Sequence, residues 1–171
     1  AQQALVVEVS TPPRPTAKRR AGAKVLVVED NAVNRAVIEA MLQRLQLDVA
    51  LAHDAEAALV MLERQSYDAV LMDCRLPGMD GLEATRIIRR RGLLSRSGGA
   101  IPVIALTANA FEDDRRRPLD AGMDAFLPKP IQIGALANTL DQWLVNLAAV
   151  DRESNAPRIR YDSQHESETA E

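Results

Sequence analysis

Polar side chains follow four apolar segments of the sequence, at the point where each segment ends. The segments are VLVVEDN (25–31), AVLMDCRLPGMDG (69–81), IPVIALTA (101–108) and AFLPKP (125–130). The polar groups are carboxylates, a hydroxyl and an ammonium, carried by Glu29, Asp30, Asp73, Thr107 and Lys129. In an open α/β sheet, ligands bind outside the carboxyl ends of the strands. We therefore expect these five side chains to form one site.

These groups would suit the transfer of a phosphoryl group to a carboxylate. Asp73, at the end of a buried strand, is the expected nucleophile, and its attack would form an aspartyl phosphate. Glu29 and Asp30 would hold the cation that lets one anion approach another. Mg²⁺ is bound in this way by one or two carboxylates together with phosphate oxygens. Mn²⁺ is the alternative metal, and the backbone carbonyl of Arg75 is the expected further ligand.

Lys129 and Thr107 would contact the phosphoryl group itself. The lysine would act as a point charge on one oxygen, and the threonine hydroxyl would donate to another. Catalysis would then consist mainly of positioning and charge neutralisation. Each residue alone also has a structural explanation, because acids complement a helix N-terminus and Asp73 precedes a Pro-Gly turn. The presence of complementary groups at all four strand ends favours the site.

Strands and helices are predicted to alternate five times between Lys24 and about Leu147. The predicted strands are 25–28, 48–52, 69–72, 101–106 and 125–127. Near-continuous apolar strands separated by helices indicate a parallel sheet covered on both faces. We predict an α/β, flavodoxin-like (βα)5 three-layer sandwich with a five-stranded parallel sheet in the order 2-1-3-4-5. Its switch point, between strands 1 and 3, would bring Asp30 and Asp73 together.

The helices are predicted from apolar residues with a period of 3.6. The first follows Asn31, a suitable N-cap, the second covers about 55–65, and the third opens after Gly81. The first helix carries Val33, Val37 and Met41 on one line, with Ile38, Leu42 and Leu45 beside it. The last carries Leu136, Leu140, Leu144 and Leu147. Pro118 predicts an irregular helix near Arg115–Pro118, because proline removes a helical hydrogen bond.

The domain boundaries are predicted from changes in composition. Residues 1–23 are interpreted as an upstream remnant and a basic, Pro-rich linker, residues 24–149 as the folded domain, and residues 150–171 as a polar, disordered tail. The chain begins with Ala rather than Met, so a fragment of a longer protein is expected.

Composition excludes several classes of protein. The net charge of −3 over 171 residues gives no electrostatic reason to expect nucleic acid as a partner. Cys74 is the only cysteine, which excludes an internal disulfide and fits a reducing cytoplasm. No apolar run approaches the roughly 20 residues of a membrane span. We expect a cytoplasmic domain without membrane contact of its own. This expectation is compatible with a membrane anchor elsewhere in the parent chain.

Four segments resemble the receiver domains of two-component signalling, most closely those fused to hybrid sensor histidine kinases. They are VLVVEDNAVNR, MDCRLPGMDG, ALTANAF and AGMDAFLPKPI, and the resemblance covers about Lys24 to Leu147. It implies that Asp73 is phosphorylated from a phosphohistidine. It also implies that Glu29 and Asp30 bind magnesium, and that Thr107 and Lys129 contact the phosphoryl group.

The resemblance also implies a switch and a set of partners. The Thr107 hydroxyl would move toward the phosphoryl group while the aromatic Phe126 turns inward, and the Lys129–Pro130 peptide bond would be cis. The expected phosphodonor or acceptor is a histidine kinase core or a histidine phosphotransfer domain, and the expected state is a monomer or weak dimer. Such a domain catalyses its own phosphorylation and dephosphorylation without being a stand-alone enzyme, and its parent chain would be a protein-histidine kinase.

Three other functions remain open from the residues alone. A hydrolase that uses Asp73 as nucleophile would be expected to carry a second acid two residues later, where this chain has Arg75. A degenerate receiver could act as a protein-interaction module without taking phosphate. A flavin-binding protein of the same fold would need a phosphate-binding loop rich in Gly, Ser or Thr, but EDNAVN follows the first strand.

Overall fold

The sheet has the predicted strand order and direction. The structure is a computed structural model that describes residues 22–108 and 117–144. Its strands are β1 (Lys24–Val28), β2 (Asp48–Ala52), β3 (Ala69–Asp73), β4 (Val103–Thr107) and β5 (Ala125–Pro128). All neighbouring pairs are parallel, in the order β2-β1-β3-β4-β5. The flavodoxin-like prediction is confirmed: β2 has the predicted bounds, and the ends of the other strands differ from the predicted ones by at most two residues.

The helices begin where polar caps were available. Within the described residues they are α1 (Ala32–Arg44), α2 (Ala55–Arg64), α3 (Gly81–Arg90) and α4 (Ile133–Leu144). Asn31, Asp54 and Asp80 cap the first three, and the side chain of each accepts hydrogen bonds from backbone amides of the first turn. Such caps satisfy amides that have no partner inside the helix. The chain therefore passes from β1 to α1 and from β2 to α2 with only two or three residues between strand and helix.

Two apolar layers cover the sheet, one on each face. Leu26 and Val28 of β1 pack in the layer that includes α2 and α3. Val25 and Val27 pack in the layer that includes α1 and α4. Because successive side chains of a strand point to opposite faces, a strand buried on both faces must be apolar throughout, and all four residues are fully buried. This explains the uninterrupted apolar run that precedes Glu29.

The two apolar lines of α1 are buried to different extents. Ile38 and Leu42 are buried, whereas Val33 is 71% exposed and Val37 is 47% exposed. The two lines lie on neighbouring sides of the helix, and Met41, the last residue of the second line, still packs against the core. Val33 and Val37 are thus an apolar surface feature that the sequence did not distinguish from core.

Some predictions concern parts of the chain outside the described residues. Most of the irregular helix predicted near Arg115–Pro118 lies there. The described part begins at Arg117, and residues 117–120 form one helical turn. Leu147, most of the 1–23 segment and the tail from 150 to 171 also lie outside. None of the described helices is long and apolar enough to cross a bilayer.

Gly81 marks a close approach between α3 and the end of β3. A Cβ atom at this position would lie 2.0 Å from the backbone oxygen of Asp73 and 2.9 Å from Cγ of Met72. Backbone atoms of a central strand cannot move aside without displacing Asp73. A residue without a side chain is therefore required here.

Replacing Gly81 should destabilise the fold, whereas replacing an open glycine should stabilise it. We expect Gly81→Ala to lower the free energy of unfolding by about 1–3 kcal/mol, because the methyl group overpacks the core. Gly134→Ala in α4, where no atom lies within 4 Å of the added Cβ, should raise it by about 0.5–1 kcal/mol. Urea unfolding of the two variants measures both changes. Equal stability of Gly81→Ala and the parent chain would refute the close approach.

Candidate functional site

The carboxyl ends of four strands bring the five predicted side chains into one cleft. Glu29 and Asp30 follow β1, Asp73 ends β3, Thr107 ends β4 and Lys129 follows β5. Carboxylate oxygens of Glu29, Asp30 and Asp73 all lie within 4.8 Å of one another. Glu29 and Asp73 are buried, and Asp30 is exposed at the mouth of the cleft. The arrangement concentrates negative charge beside β1 and β3.

Lys129 connects two of the three acids. Its Nζ lies 2.8 Å from Oε2 of Glu29 and 2.9 Å from Oδ2 of Asp73. Burial by itself would lower the pKa of Lys129, but the hydrogen bonds and the negative charges of these two carboxylates outweigh it, so the pKa is raised. The side chain is consequently an ammonium at physiological pH, and it neutralises part of the acidic cluster.

Asp73 is held at both carboxylate oxygens. Oδ2 accepts from Lys129, and Oδ1 accepts from the backbone amide of Arg75 at 3.0 Å. Arg75 is exposed and belongs to the loop after β3. Together with Thr107 and Arg117 it lines a cavity of about 190 Å³. The Asp73 carboxylate is therefore fixed before any ligand arrives.

Thr107 carries an unpaired hydroxyl next to this cavity. Its Oγ1 is buried and has no hydrogen-bond partner among the described residues. Leaving a buried polar group unpaired costs roughly 1–3 kcal/mol. Such an atom in a cleft is a candidate donor to a ligand oxygen.

Phe126 lies in β5, directly opposite Ala105 of β4 in the strand register. It is partly buried and packs against the apolar layer that includes α2 and α3. Ala105 and Thr107 are two residues apart, so their side chains point to the same face of the sheet. Phe126 is thus on a strand adjacent to the one that carries the unpaired hydroxyl. The Lys129–Pro130 peptide bond is cis, as the resemblance implied.

Arg35 and Asn31 support the loop that carries Glu29 and Asp30, which we call the acidic loop. The sequence alone assigned no role to Arg35. Nη1 of Arg35 donates to the backbone oxygens of Glu29 and Asp30, both at 2.8 Å. Oε1 of Glu29 accepts from the backbone amide of Asn31 at 3.1 Å. A basic residue near a helix N-terminus opposes the helix dipole, and this was the available signal that Arg35 has a particular task.

An apolar groove leads from α1 into the cleft. We call it the α1 groove. It encloses about 480 Å³, and its lining consists of Glu29, Asn34, Val37, Ile38, Ala108, Lys129, Pro130 and Ile131. The exposed Val33 lies one helical turn before Val37. A partner that covers this groove would therefore reach Lys129 and the acids at its inner end.

The doubly wound sheet, with acids and a lysine at its switch point, defines a flavodoxin-like domain with a polar cleft. The family model of the response regulator receiver domain matches residues 25–141. The chain belongs to this receiver-domain family.

Similar proteins include receiver domains of sensor kinases. The receiver domain of sensor histidine kinase PA1611 from Pseudomonas aeruginosa PAO1, crystallised with magnesium in its active-site cleft, is 49% identical, with a TM-score of 0.65 over 73% of this chain and 99% of that one. The sensor protein GacS of Pseudomonas syringae pv. syringae is 36% identical over 120 residues, which are 70% of this chain and 13% of GacS. The chain therefore spans a small part of such relatives.

A further structural neighbour was solved together with a partner. The Saccharomyces cerevisiae receiver domain of the response regulator Ssk1, crystallised with the histidine phosphotransfer signalling protein Ypd1, is 27% identical, with a TM-score of 0.68. The match covers 74% of this chain and 92% of that chain.

The reactivity of Cys74 should report the charge of Asp73. Burial, followed by the negative charge of Asp73, raises the pKa of the Cys74 thiol to about 11. At pH 8 in metal-free buffer, iodoacetamide should label this only cysteine at least about a hundredfold more slowly than an exposed thiol, because the thiolate reacts. Asp73→Asn removes the charge, so the pKa should fall and labelling should accelerate.

Asp80→Asn is the matched control for this measurement. Asp80 also raises the pKa of Cys74, but by less than Asp73 does, and Asn remains a good helix cap. Its effect on the labelling rate should be in the same direction and smaller. An unchanged or slower rate in Asp73→Asn would contradict the electrostatic account.

Proposed function

We propose that this chain is a phospho-accepting receiver domain of a hybrid sensor histidine kinase, in which Asp73 takes a phosphoryl group from a phosphohistidine and so switches or relays a two-component signal. One observation carries the proposal. A fixed aspartate at the switch point of the sheet lies beside two further acids, a lysine ammonium and an unpaired threonine hydroxyl. A folded domain at residues 24–149, between a linker and a tail, is part of this proposal.

The donor set fits Mg²⁺, with Mn²⁺ as the alternative metal. Hard divalent cations prefer oxygen ligands, and Mg²⁺ retains several waters beside one or two carboxylates. Glu29, Asp30, Asp73 and the backbone carbonyl of Arg75 would hold the cation, and the carboxylate oxygens of the three acids lie within 4.8 Å of one another. Bound there, the metal would supply positive charge to the phosphoryl oxygens. The magnesium in the PA1611 receiver domain supports this assignment.

The proposed transfer needs little covalent chemistry from the protein. A carboxylate oxygen of Asp73 attacks the phosphorus, the bond from phosphorus to the imidazole nitrogen breaks, and the imidazole keeps the electron pair and leaves after gaining a proton. The ammonium of Lys129 neutralises charge on one phosphoryl oxygen, and Thr107 donates to another. Because Asp73 is already held by Lys129 and the Arg75 amide, little ordering is left for the transition state.

The switch is proposed to use the unpaired hydroxyl of Thr107. A phosphoryl oxygen would give this buried donor a partner and draw the end of β4 toward Asp73. Phe126, across from Ala105 on the neighbouring strand, would turn inward as Thr107 moves. Phosphorylation would thus change the surface around β4 and β5.

The α1 groove is the proposed docking site for the phosphodonor, a histidine phosphotransfer domain or a kinase core. Val33 and Val37 expose apolar surface beside the cleft, and the groove ends at Lys129 and Glu29. An apolar anchor there would bring an imidazole to Asp73. The complex between Ypd1 and the Ssk1 receiver domain supports a partner of this class.

Intact-mass analysis after incubation with acetyl phosphate and magnesium tests phospho-acceptance. We expect one phosphoryl adduct on the parent chain, because Asp73 is fixed and partly neutralised. The adduct should disappear in Asp73→Asn, which lacks the nucleophile, and in a metal-free control. An adduct that persists in Asp73→Asn would refute the assignment of the acceptor.

The same experiment separates the alternatives. If a trapped beryllofluoride complex also fails to form, the chain is a degenerate receiver that acts as an interaction module. Because a receiver that dephosphorylates itself also turns over acetyl phosphate, a hydrolase would instead be indicated by sustained phosphate release from a stable phosphate monoester, which is not a phosphodonor of the receiver reaction.

Substitution in the α1 groove should separate docking from chemistry. Val37→Asp places a charge on the apolar surface, so phosphotransfer from a phosphorylated histidine phosphotransfer protein such as Ypd1 should fall by about tenfold or more, equivalent to about 1.4 kcal/mol of binding free energy. Phosphorylation by acetyl phosphate should remain close to that of the parent chain, because this small donor needs no docking surface.

Val60→Asp is the matched control for the docking test. Val60 lies on α2 and is 45% exposed, nearly the same as Val37, but it lies away from the α1 groove. It should leave both reactions unchanged. Equal losses in the two variants would rule out the α1 groove as the docking site.

A further inference from the structure

Asp30 is the acid whose side chain has the least support from its surroundings. Glu29 and Asp73 are buried, and each is hydrogen-bonded at both carboxylate oxygens. Asp30 is exposed, and within residues 22–108 and 117–144 its carboxylate has no recorded hydrogen bond. Its direction must therefore come from its backbone.

The backbone on both sides of Asp30 is held by one guanidinium. Nη1 of Arg35 donates to the carbonyl oxygen of Glu29 and to that of Asp30, at 2.8 Å in each case. These two oxygens belong to the consecutive peptide planes that flank Cα of Asp30. Because peptide groups are planar, fixing both planes restricts φ and ψ of Asp30 and so fixes the direction of its Cβ.

Arg35 is itself held firmly at the start of α1. Its backbone amide donates to the carbonyl oxygen of Asn31 at 2.9 Å. The side chain of Asn31 accepts from the amides of Val33 and Asn34 at 2.9 and 3.0 Å. The cap, the first helical turn and the acidic loop therefore form one hydrogen-bonded unit. A cation near a helix N-terminus is unfavourable, which argues that the residue is placed for its contacts to the loop.

We propose that Arg35 is a positioning residue of the metal site, which fixes the peptide planes around Asp30 and directs its carboxylate into the cleft before a cation binds. This inference rests on the proposed function, since it takes Asp30 as a magnesium ligand. It deepens that proposal by naming the residue that organises the ligand loop. Groups that orient metal ligands typically contribute about 10–100-fold to metal affinity.

When Arg35 is replaced by an uncharged residue, a positioning role and a purely electrostatic role predict opposite changes in the affinity for a divalent cation. Arg35 carries a positive charge close to three acids, so its removal by itself should tighten binding of a divalent cation. Loss of a positioning residue should weaken binding, because the Asp30 loop must then be ordered at the moment of binding. The sign of the change in affinity therefore distinguishes the two explanations.

The test is the Mg²⁺ affinity of the metal-free protein, measured by isothermal titration calorimetry. We expect Arg35→Met, which keeps the length of the side chain but has no donor, to weaken Mg²⁺ binding by about tenfold. Arg35→Lys retains donors and charge and should recover part of the affinity. Arg44→Met, in the last turn of the same helix, removes the same charge far from the loop and should bind Mg²⁺ as the parent chain does.

A second readout needs no metal. Amide hydrogen exchange measured by NMR in metal-free buffer should be faster at Asn31 in Arg35→Met, because the loop that fixes its bond to Glu29 is released. Exchange at Val27 in the middle of β1 should be unchanged, which also verifies that the variant is folded. A merely structural role in α1 would instead change exchange along the helix.

The outcomes distinguish this inference from the proposed function. If the parent chain binds no Mg²⁺, the proposed metal site is wrong. If the parent binds and Arg35→Met binds equally or more tightly, the positioning role is overturned and the proposed function stands. Equal weakening in Arg35→Met and Arg44→Met would also overturn it, since the effect would then not depend on the contacts that Arg35 makes to the loop.

Discussion

The bridge from Lys129 to Glu29 and Asp73 is the interaction on which the cleft depends. Two buried carboxylates within 4.8 Å repel each other by about 3 kcal/mol or more at an effective dielectric constant of ~20. The ammonium between them offsets this repulsion and holds both oxygens in place. Because Lys129 and Glu29 are 100 residues apart in sequence, the bridge forms only when β1, β3 and β5 are correctly ordered in the sheet.

The two ends of the sheet use charge in different ways. At the amino ends of β4 and β5, Arg89 donates to the backbone oxygens of Gly122 and Ile101 and to Asp124. Asp124 in turn accepts from the backbone amide of Val103, so charge and backbone are well paired there. At the carboxyl ends, Thr107 has an unpaired hydroxyl and Asp30 an exposed carboxylate. Such departures from local pairing are common at functional sites, although the buried Oδ1 of Asp68, just before β3, also has no hydrogen-bond partner among the described residues.

The sequence predicts the fold and the content of the cleft because both follow from short-range patterns. An apolar strand that ends on Glu29 or Asp73 can be recognised without knowing its neighbours, and parallel strands then bring these ends together. The exposure of Val33 and Val37 could not be predicted. The sequence of α1 carries two adjacent rows of apolar residues, and the helical period does not say which row lies closer to the sheet. The unpaired hydroxyl of Thr107 and the contacts of Arg35 depend on atomic distances that no periodicity encodes.

The cleft gives each proposed ligand its own approach to Asp73. Asp30 lies on the exposed lip, where a hydrated cation can enter without disturbing the core. The α1 groove opens on the side of Lys129 and suits a large apolar partner. The cavity that Thr107 and Arg75 help to line adjoins this groove at Ala108, which contributes to both, and its remaining lining residues differ from those of the groove. In the proposed function, the cation would thus enter at Asp30 and the phosphodonor along α1, while the Thr107 hydroxyl would meet a phosphoryl oxygen from the adjoining cavity, so that binding, transfer and switching would use different sides of one carboxylate.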